Sequence, residues 1–321
     1  MNINIELKNH LLYEFTINNY GFLNETRSIV NGIDNTVLMF LNMVSEQIKN
    51  TKTKSTNIYT EKNNFNIKTF FTQFKLKLTI TKGEKKYSGG CDINNSIIKN
   101  SENKWICIPD IELQVQGKNE NEIRNVFGFA IGHELTHLYN MLQYAIKNNE
   151  NGYNNVFDKN KYRNISNTMS NPFFEKNTKI IAQILYTLTR IERNAYIAQL
   201  RQELLNQEEL ITDTNSAYEA IKNTESYKRL LFLEKNINIL FSEDLNNSET
   251  TKTNILSTLN KTMNKKFTNF EQVKKYFLRR WLKWKKAYLS RASKIAYDVF
   301  LKKYKNNWTI NNSSNHLTLE V

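Results

Sequence analysis

The sequence predicts an α+β protein, a small N-terminal sheet followed by a mostly helical body. Three observations carry that expectation. Only 2 Pro and 9 Gly serve 321 residues, too few for the many tight turns of a sandwich or propeller. Strict period-two alternation is confined to the stretch before residue 120. From Asn121 onward the apolar positions recur at helical spacing.

Taken in order, residues 2–7 alternate polar and apolar and read as a short strand. Asp34 reads as the N-cap of a helix through Val37, Phe40, Leu41 and Val44. The Lys/Thr/Asn stretch 49–64 reads as a loop. Across 70–81, Phe74, Leu76, Leu78 and Ile80 alternate with Lys75, Lys77 and Thr79, the pattern of a strand with one wet face. Lys82-Gly83-Glu84 makes a turn into a second strand, 85–93, interrupted by Gly89-Gly90. A third runs over 105–115 and is broken at Pro109, since a strand proline sits best at an edge or bulge. Three or four strands in an antiparallel or mixed sheet are therefore expected over about 66–116. Helices follow at about 121–146, 174–205, 214–240, 252–266 and 269–305, with polar loops around 147–172 and 242–251. Residues 1–205 make one unit and 206–321 a helical C-terminal region.

Composition narrows the class. Apolar residues at 40% and aromatics at 12% suffice for a core despite a mean hydropathy of −0.60, which argues against disorder. Asparagine fills 49 positions alongside abundant Lys and Ile. These residues have A/T-rich codons and suggest a low-GC bacterium, or a phage or plasmid of one. Cys91 and Cys107 match no metal or redox spacing, and two thiols cannot staple so long a chain, so a reducing compartment is favoured. The first residues lack a signal-peptide pattern. The apolar stretch 37–44 is too short to span a bilayer and contains Asn42. The expectation is a protein without a transmembrane segment, working in the cytoplasm or inside a phage particle.

One motif carries chemistry. Residues 130–139 read Ala-Ile-Gly-His-Glu-Leu-Thr-His-Leu-Tyr and contain H-E-x-x-H. On a helix, positions i and i+4 share a face, so His133 and His137 can offer imidazole nitrogens to one ion. Glu134 leans toward the same ion without ligating it. There it can take a proton from the attacking water as general base. The remaining positions of this stretch are uncharged, as a buried helix requires, whereas a surface helix would mix in Lys and Glu.

In these residues the chain resembles the zincin metallopeptidases. The resemblance implies a zinc ion, hydrolysis of peptide bonds in a peptide or protein substrate, and a sheet above the active-site helix whose edge strand holds extended substrate. A catalytic zinc takes three protein ligands and keeps one position for water. His10 and His316 lie near the termini, and no further histidine follows the motif at ligand spacing. A carboxylate on a later helix is then expected, as in the gluzincin branch, with Glu150, Asp158, Glu175 and Glu192 as candidates. Glu192 falls within the apolar stripe Ile181, Ile184, Leu185, Leu188, Ile191 and Ala195. A carboxylate buried there needs a partner or a metal. Glu175 follows Pro172 in a first turn, where acids complement the helix dipole, and Asp158 and Glu150 lie in an Asn-rich loop. Glu192 is the expected third ligand; the alternative is a buried ion pair with Arg124 or Arg190.

The segment Glu192-Arg193-Asn194-Ala195-Tyr196 resembles the E-x-x-A-D segment of CAAX-prenyl-protease-like gluzincins and the ligand helix of ImmA/IrrE-type peptidases. Tyr196 departs from it. The family has there an aspartate that orients a zinc-bound histidine, so the surroundings of the site must differ. Tyr139, Tyr144, Tyr186 and Tyr196 are all candidates for polarising the scissile carbonyl.

The net charge of +14 is uneven. Residues 271–306 hold twelve Lys/Arg against two acids, with Val273, Phe277, Trp281, Trp284, Tyr288, Ile295 and Val299 at helical spacing. Such a helix can pack an aromatic face and solvate a basic one. It can also meet nucleic acid or another anionic surface. Two functions follow as expectations: a zinc-dependent peptidase, or a phage- or mobile-element-encoded binding protein whose basic helix contacts nucleic acid or a partner.

Overall fold

The computed structural model describes residues 3–17, 24–49, 54–60, 70–72, 74–92, 97–99, 101–102, 105–107, 109–148, 165, 176–240, 249–263 and 266–315. It is an α+β protein, mostly helical, with a small mixed sheet. Among the described residues no helix is long and apolar enough to cross a membrane.

Three helices open the chain: α1 (Ile3–Ile17), α2 (Asn24–Met43) and α3 (Ser45–Lys49). The expected strand over 2–7 is thus the start of α1. Ile3, Leu7 and Leu11 are buried at intervals of four. Over six residues a period of two and a period of 3.6 are hard to separate, and packing decides. Asp34 is no N-cap but lies inside α2.

The main sheet has the order β1 (Lys54–Thr60), β3 (Phe74–Lys82), β7 (Asp110–Gly117), β4 (Lys86–Asp92). β1 and β4 are its edges and run antiparallel to their neighbours, whereas β3 and β7 are parallel, so the sheet is the mixed one of the two expected forms. β1 occupies what reads as a loop, because its Lys/Thr/Asn composition conceals a strand whose pairing with β3 supplies its order. A second sheet joins β2 (Phe70–Thr72), β6 (Trp105–Cys107) and β5 (Ile97–Lys99). The expected strand over 105–115 is therefore two strands in two sheets, parted at Pro109. β4, by contrast, runs through Gly89-Gly90 unbroken. Leu76, Leu78, Ile80, Ile111, Leu113 and Val115 form the buried face of the sheet, the alternation that a half-covered strand requires.

The long helix α4 (Glu120–Asn148) lies across β7 and β4. The expected helix over 174–205 is two helices, α5 (Lys176–Thr187) and α6 (Arg190–Leu205), divided at Leu188 and Thr189. Likewise α7 (Thr214–Lys222) and α8 (Glu225–Leu240) replace the single helix over 214–240. Last come α9 (Glu249–Met263) and α10 (Phe270–Asn315), the latter ten residues longer than its expected end. The loops expected around 147–172 and 242–251 fall mostly outside the described residues.

Apolar side chains gather in two clusters. One joins the sheet to α2, α3 and α4; the other joins α1 to α5–α10. Val273, Phe277, Trp281, Trp284, Tyr288, Ile295 and Val299 of α10 all belong to the second cluster. Glu203 of α6 is buried within reach of that cluster and caps α8, accepting from the amides of Glu225 (2.8 Å) and Ser226 (3.1 Å). Burial raises its carboxyl from 4.5 to about 7 against those two bonds. The folded chain therefore holds a proton that the unfolded chain releases across this window. Stability falls as pH rises from about 4.5 to about 7, by about 3 kcal/mol for a shift of this size. Urea unfolding in chelator should show a shallower decline for Glu203→Gln than for wild type. Equal slopes would assign the decline to other groups.

Candidate metal centre

The motif helix is enclosed on every side. Residues 126–138 of α4 are all buried, which explains the uncharged flanks, since any charge there would need its own partner. His133 and His137 sit one turn apart with their rings edge-on, centroids 4.8 Å apart. Both turn Nε2 toward one carboxylate on α6. His133 Nε2 is 3.5 Å from Glu192 Oε2 and His137 Nε2 is 3.3 Å from Glu192 Oε1. Glu192 is 1% exposed. His133, Glu134 and His137 also form a buried group able to hold a metal ion, with one ligating atom from each within 4.8 Å of the others.

The pairing comes from a close antiparallel seam between α4 and α6. At one end Asn194 Nδ2 donates to Asn140 Oδ1 (3.2 Å). The histidines and Glu192 follow, then the Tyr196 ring edge-on to His133 at 5.1 Å. Beyond them Gly132 faces Gln202 so closely that a Cβ on Gly132 would lie 2.9 Å from Gln202 Cγ. Asp34 of α2 clamps the far side, accepting from Gln202 Nε2 and from Arg201 Nε (3.1 Å). That is the role of a residue read as a cap.

Glu192 stands in the first turn of α6, where Thr189 Oγ1 accepts from its amide at 3.4 Å. The Thr189-x-x-Glu192 spacing is a helix-start signal that marks the break inside the expected 174–205 helix. The edge strand β4 crosses directly above Glu134: a Cβ on Gly89 would come 3.3 Å from Glu134 Oε1.

Burial dominates the electrostatics. It pulls His137 from 6.5 down to about 4, despite the favourable field of Glu192. At His133 burial also opposes protonation, but contact with Glu192 outweighs it and the net direction is upward. Glu134 is pushed up to about 7, by burial first, with His133 opposing and Glu192 adding. Burial likewise raises the Tyr196 hydroxyl to about 12.

The other ligand candidates, Glu150, Asp158 and Glu175, lie outside the described residues, as do His316 and the side chains of Tyr144 and Arg190. His10 lies on α1. Tyr139 flanks the motif half-buried, Tyr186 lies on α5, and Tyr196 meets His133 by ring contact. Sequence reading misses Gln199, Tyr87 and Arg229. Tyr87 of β4 donates to Gln199 Oε1 at 3.0 Å, and the Gln199 side chain reaches the His133 ring. Arg229 of α8 lies over the Tyr196 ring, 6.0 Å from its centroid. Gln199 was legible, because it lies seven residues after Glu192 on the same helical face.

The tightness of the seam sets a test. Gly132→Val should force α4 and α6 apart, lower stability by about 1–3 kcal/mol and weaken metal binding at least about tenfold. Gly90→Val is the control, since a Cβ there meets nothing within 4 Å. Calorimetric titration with a divalent metal would read both, and equal affinities would show that the seam does not set the site.

Compared with known proteins, the chain matches no family model, no curated protein and no solved structure.

Proposed function

We propose that the protein is a zinc-dependent peptidase of gluzincin type, with His133, His137 and Glu192 as ligands and Glu134 as general base. One observation carries the reading: two imidazole Nε2 atoms meet the two oxygens of a single buried carboxylate at 3.5 and 3.3 Å. Ligands placed about 2.0–2.1 Å from a tetrahedral zinc stand about 3.3–3.4 Å apart, so this spacing fits a common ion. Glu134 is also near enough to ligate. Its place beside β4 suits a reacting group better, because substrate must pass there, while Glu192 faces both histidines. The uncharged helix flanks, the mixed sheet and an antiparallel edge strand over Glu134 also support the zincin reading.

A zinc ion held there would lower the pKa of its water to about 7 and polarise a carbonyl. The chain's own groups do the rest. The edge strand β4 offers backbone donors and acceptors to an extended peptide. Glu134 takes the proton of the attacking water on the oxygen beside Gly89 and passes it to the departing amine. Tyr196, beside His133, has a hydroxyl that keeps its proton at neutral pH.

Glu134→Gln should keep one zinc per chain yet lose about 10²–10⁴ in peptide cleavage. Glu192→Ala should lose stoichiometric zinc. A metal assay paired with cleavage of a peptide library reads both. Full zinc affinity in Glu192→Ala would move the third ligand to Glu150, Asp158 or Glu175, and a wild type that binds zinc but cleaves nothing would remove the peptidase reading.

A second reading draws on the outer face of α10. Lys275, Arg279, Lys283 and Lys286 are all exposed there, and only Glu271 and Asp298 are acidic among residues 271–306. Phe277, Trp281, Trp284 and Tyr288 are packed inward, so the four exposed cations offer charge rather than stacking. Sequence-independent contact with nucleic-acid phosphates is the binding such a face supports. Retention of DNA should then fall by orders of magnitude between about 50 and 200 mM salt. No retention at low salt would leave α10 as a packing helix.

A further inference from the structure

A histidine that ligates through Nε2 carries its proton on Nδ1, and that N–H needs an acceptor to fix ring and tautomer. His133 Nε2 faces Glu192, so with a zinc ion between them the proton would sit on Nδ1. It is buried and has no hydrogen-bond partner among the described residues. The position where the family resemblance places an acceptor is held by Tyr196, which presents a ring edge to His133.

Gln199 lies one turn beyond Tyr196 on the face of α6 that carries Glu192. It is 0% exposed, and its side chain lies in hydrogen-bonding reach of the His133 ring. Its Oε1 receives the Tyr87 hydroxyl while Nε2, also buried, has no partner among the described residues. The carbonyl that receives the Tyr87 hydroxyl is also the group that faces the His133 ring as an acceptor. A carbonyl oxygen has two lone pairs, so it can take the His133 Nδ1–H while keeping the Tyr87 bond.

We infer that Gln199, steadied by Tyr87 of the edge strand, is the positioning residue for His133, accepting its Nδ1 proton where the family resemblance calls for an aspartate. The inference rests on the zinc reading above. A neutral carboxamide holds the ring without adding negative charge beside the ligands. It also links His133 to β4, so that the strand above Glu134 and the ligand below it share one hydrogen-bonded chain.

The test measures zinc affinity by chelator competition for wild type, Gln199→Leu, Gln199→Met and Gln199→Glu, with circular dichroism to show folding. Loss of such a partner weakens metal binding about 10–100-fold, and that loss is expected for Leu and for Met, the latter guarding against a packing defect. Gln199→Glu retains an acceptor and should bind within a few-fold of wild type. Long-range ¹H–¹⁵N spectra of the zinc-loaded protein should show a His133 Nδ1–H shielded from exchange in wild type and Gln199→Glu but not in Gln199→Leu. Wild-type affinity in both Leu and Met variants, with His133→Ala devoid of zinc, would overturn the role of Gln199 alone. A wild type without zinc affinity would instead overturn the zinc reading on which it rests.

Discussion

The narrow antiparallel seam between α4 and α6 is the constraint on which the site depends. A glutamate side chain spans only a few ångströms, so its carboxylate reaches two imidazoles on a neighbouring helix only when the helices nearly touch. Gly132 permits that approach, with Gln202 filling the space its side chain would take. Ordinary helix pairs lie 8–10 Å apart depending on the residues between them, and small residues bring them to the lower end. Register matters as much as distance, since a slip of one turn, about 5.4 Å, would take Glu192 past both histidines. The Asn140–Asn194 bond at one end and the Asp34 clamp on Arg201 and Gln202 at the other oppose that slip.

Holding so many ionisable groups out of water requires compensation, and the fold supplies it locally. Glu192 sits in the first turn of α6, where unpaired amides and the positive end of the helix favour a carboxylate. Had α5 and α6 been one continuous helix, Glu192 would lie mid-helix without that field. The break at Leu188 and Thr189 is thus part of the site. Glu203 uses the same device, capping α8 with its buried carboxylate. Lys285 of α10 is buried against Glu6 of α1 at 2.8 Å, which ties the first helix to the last.

The motif face was legible because H-E-x-x-H fixes its own geometry: four residues are one turn, wherever the helix lies. Glu192 was legible from its apolar neighbours, although the stripe belongs to two helices and not one. What stayed hidden depends on partners distant in sequence. Residues 2–7 alternate like a strand, yet residues 3–7 are helix, with Ile3, Leu7 and Leu11 buried against the helical body. β1 has little apolar pattern and owes its order to β3. Gln199 and Tyr87 are 112 positions apart, and nothing local in either announces the bond between them.

The C-terminal helix bears on the site from behind. Arg280 of α10 donates to the Leu188 carbonyl, at the break that begins α6, and Arg291 donates to Asn194 Oδ1, both at 3.4 Å. Asn194 in turn holds Asn140, three residues past His137. All three proposed ligands fall before residue 206, yet the first turn that aims Glu192 is braced by residues 280 and 291. The basic charges of α10 therefore divide by face. Arg280, Lys285 and Arg291 have partners at the α5–α6 break, on α1 and on α6, while Lys275, Arg279, Lys283 and Lys286 point outward. An anionic partner bound on the outer charges would rest on the same rigid helix that steadies the ligand helix, so the two faces of α10 are mechanically one element.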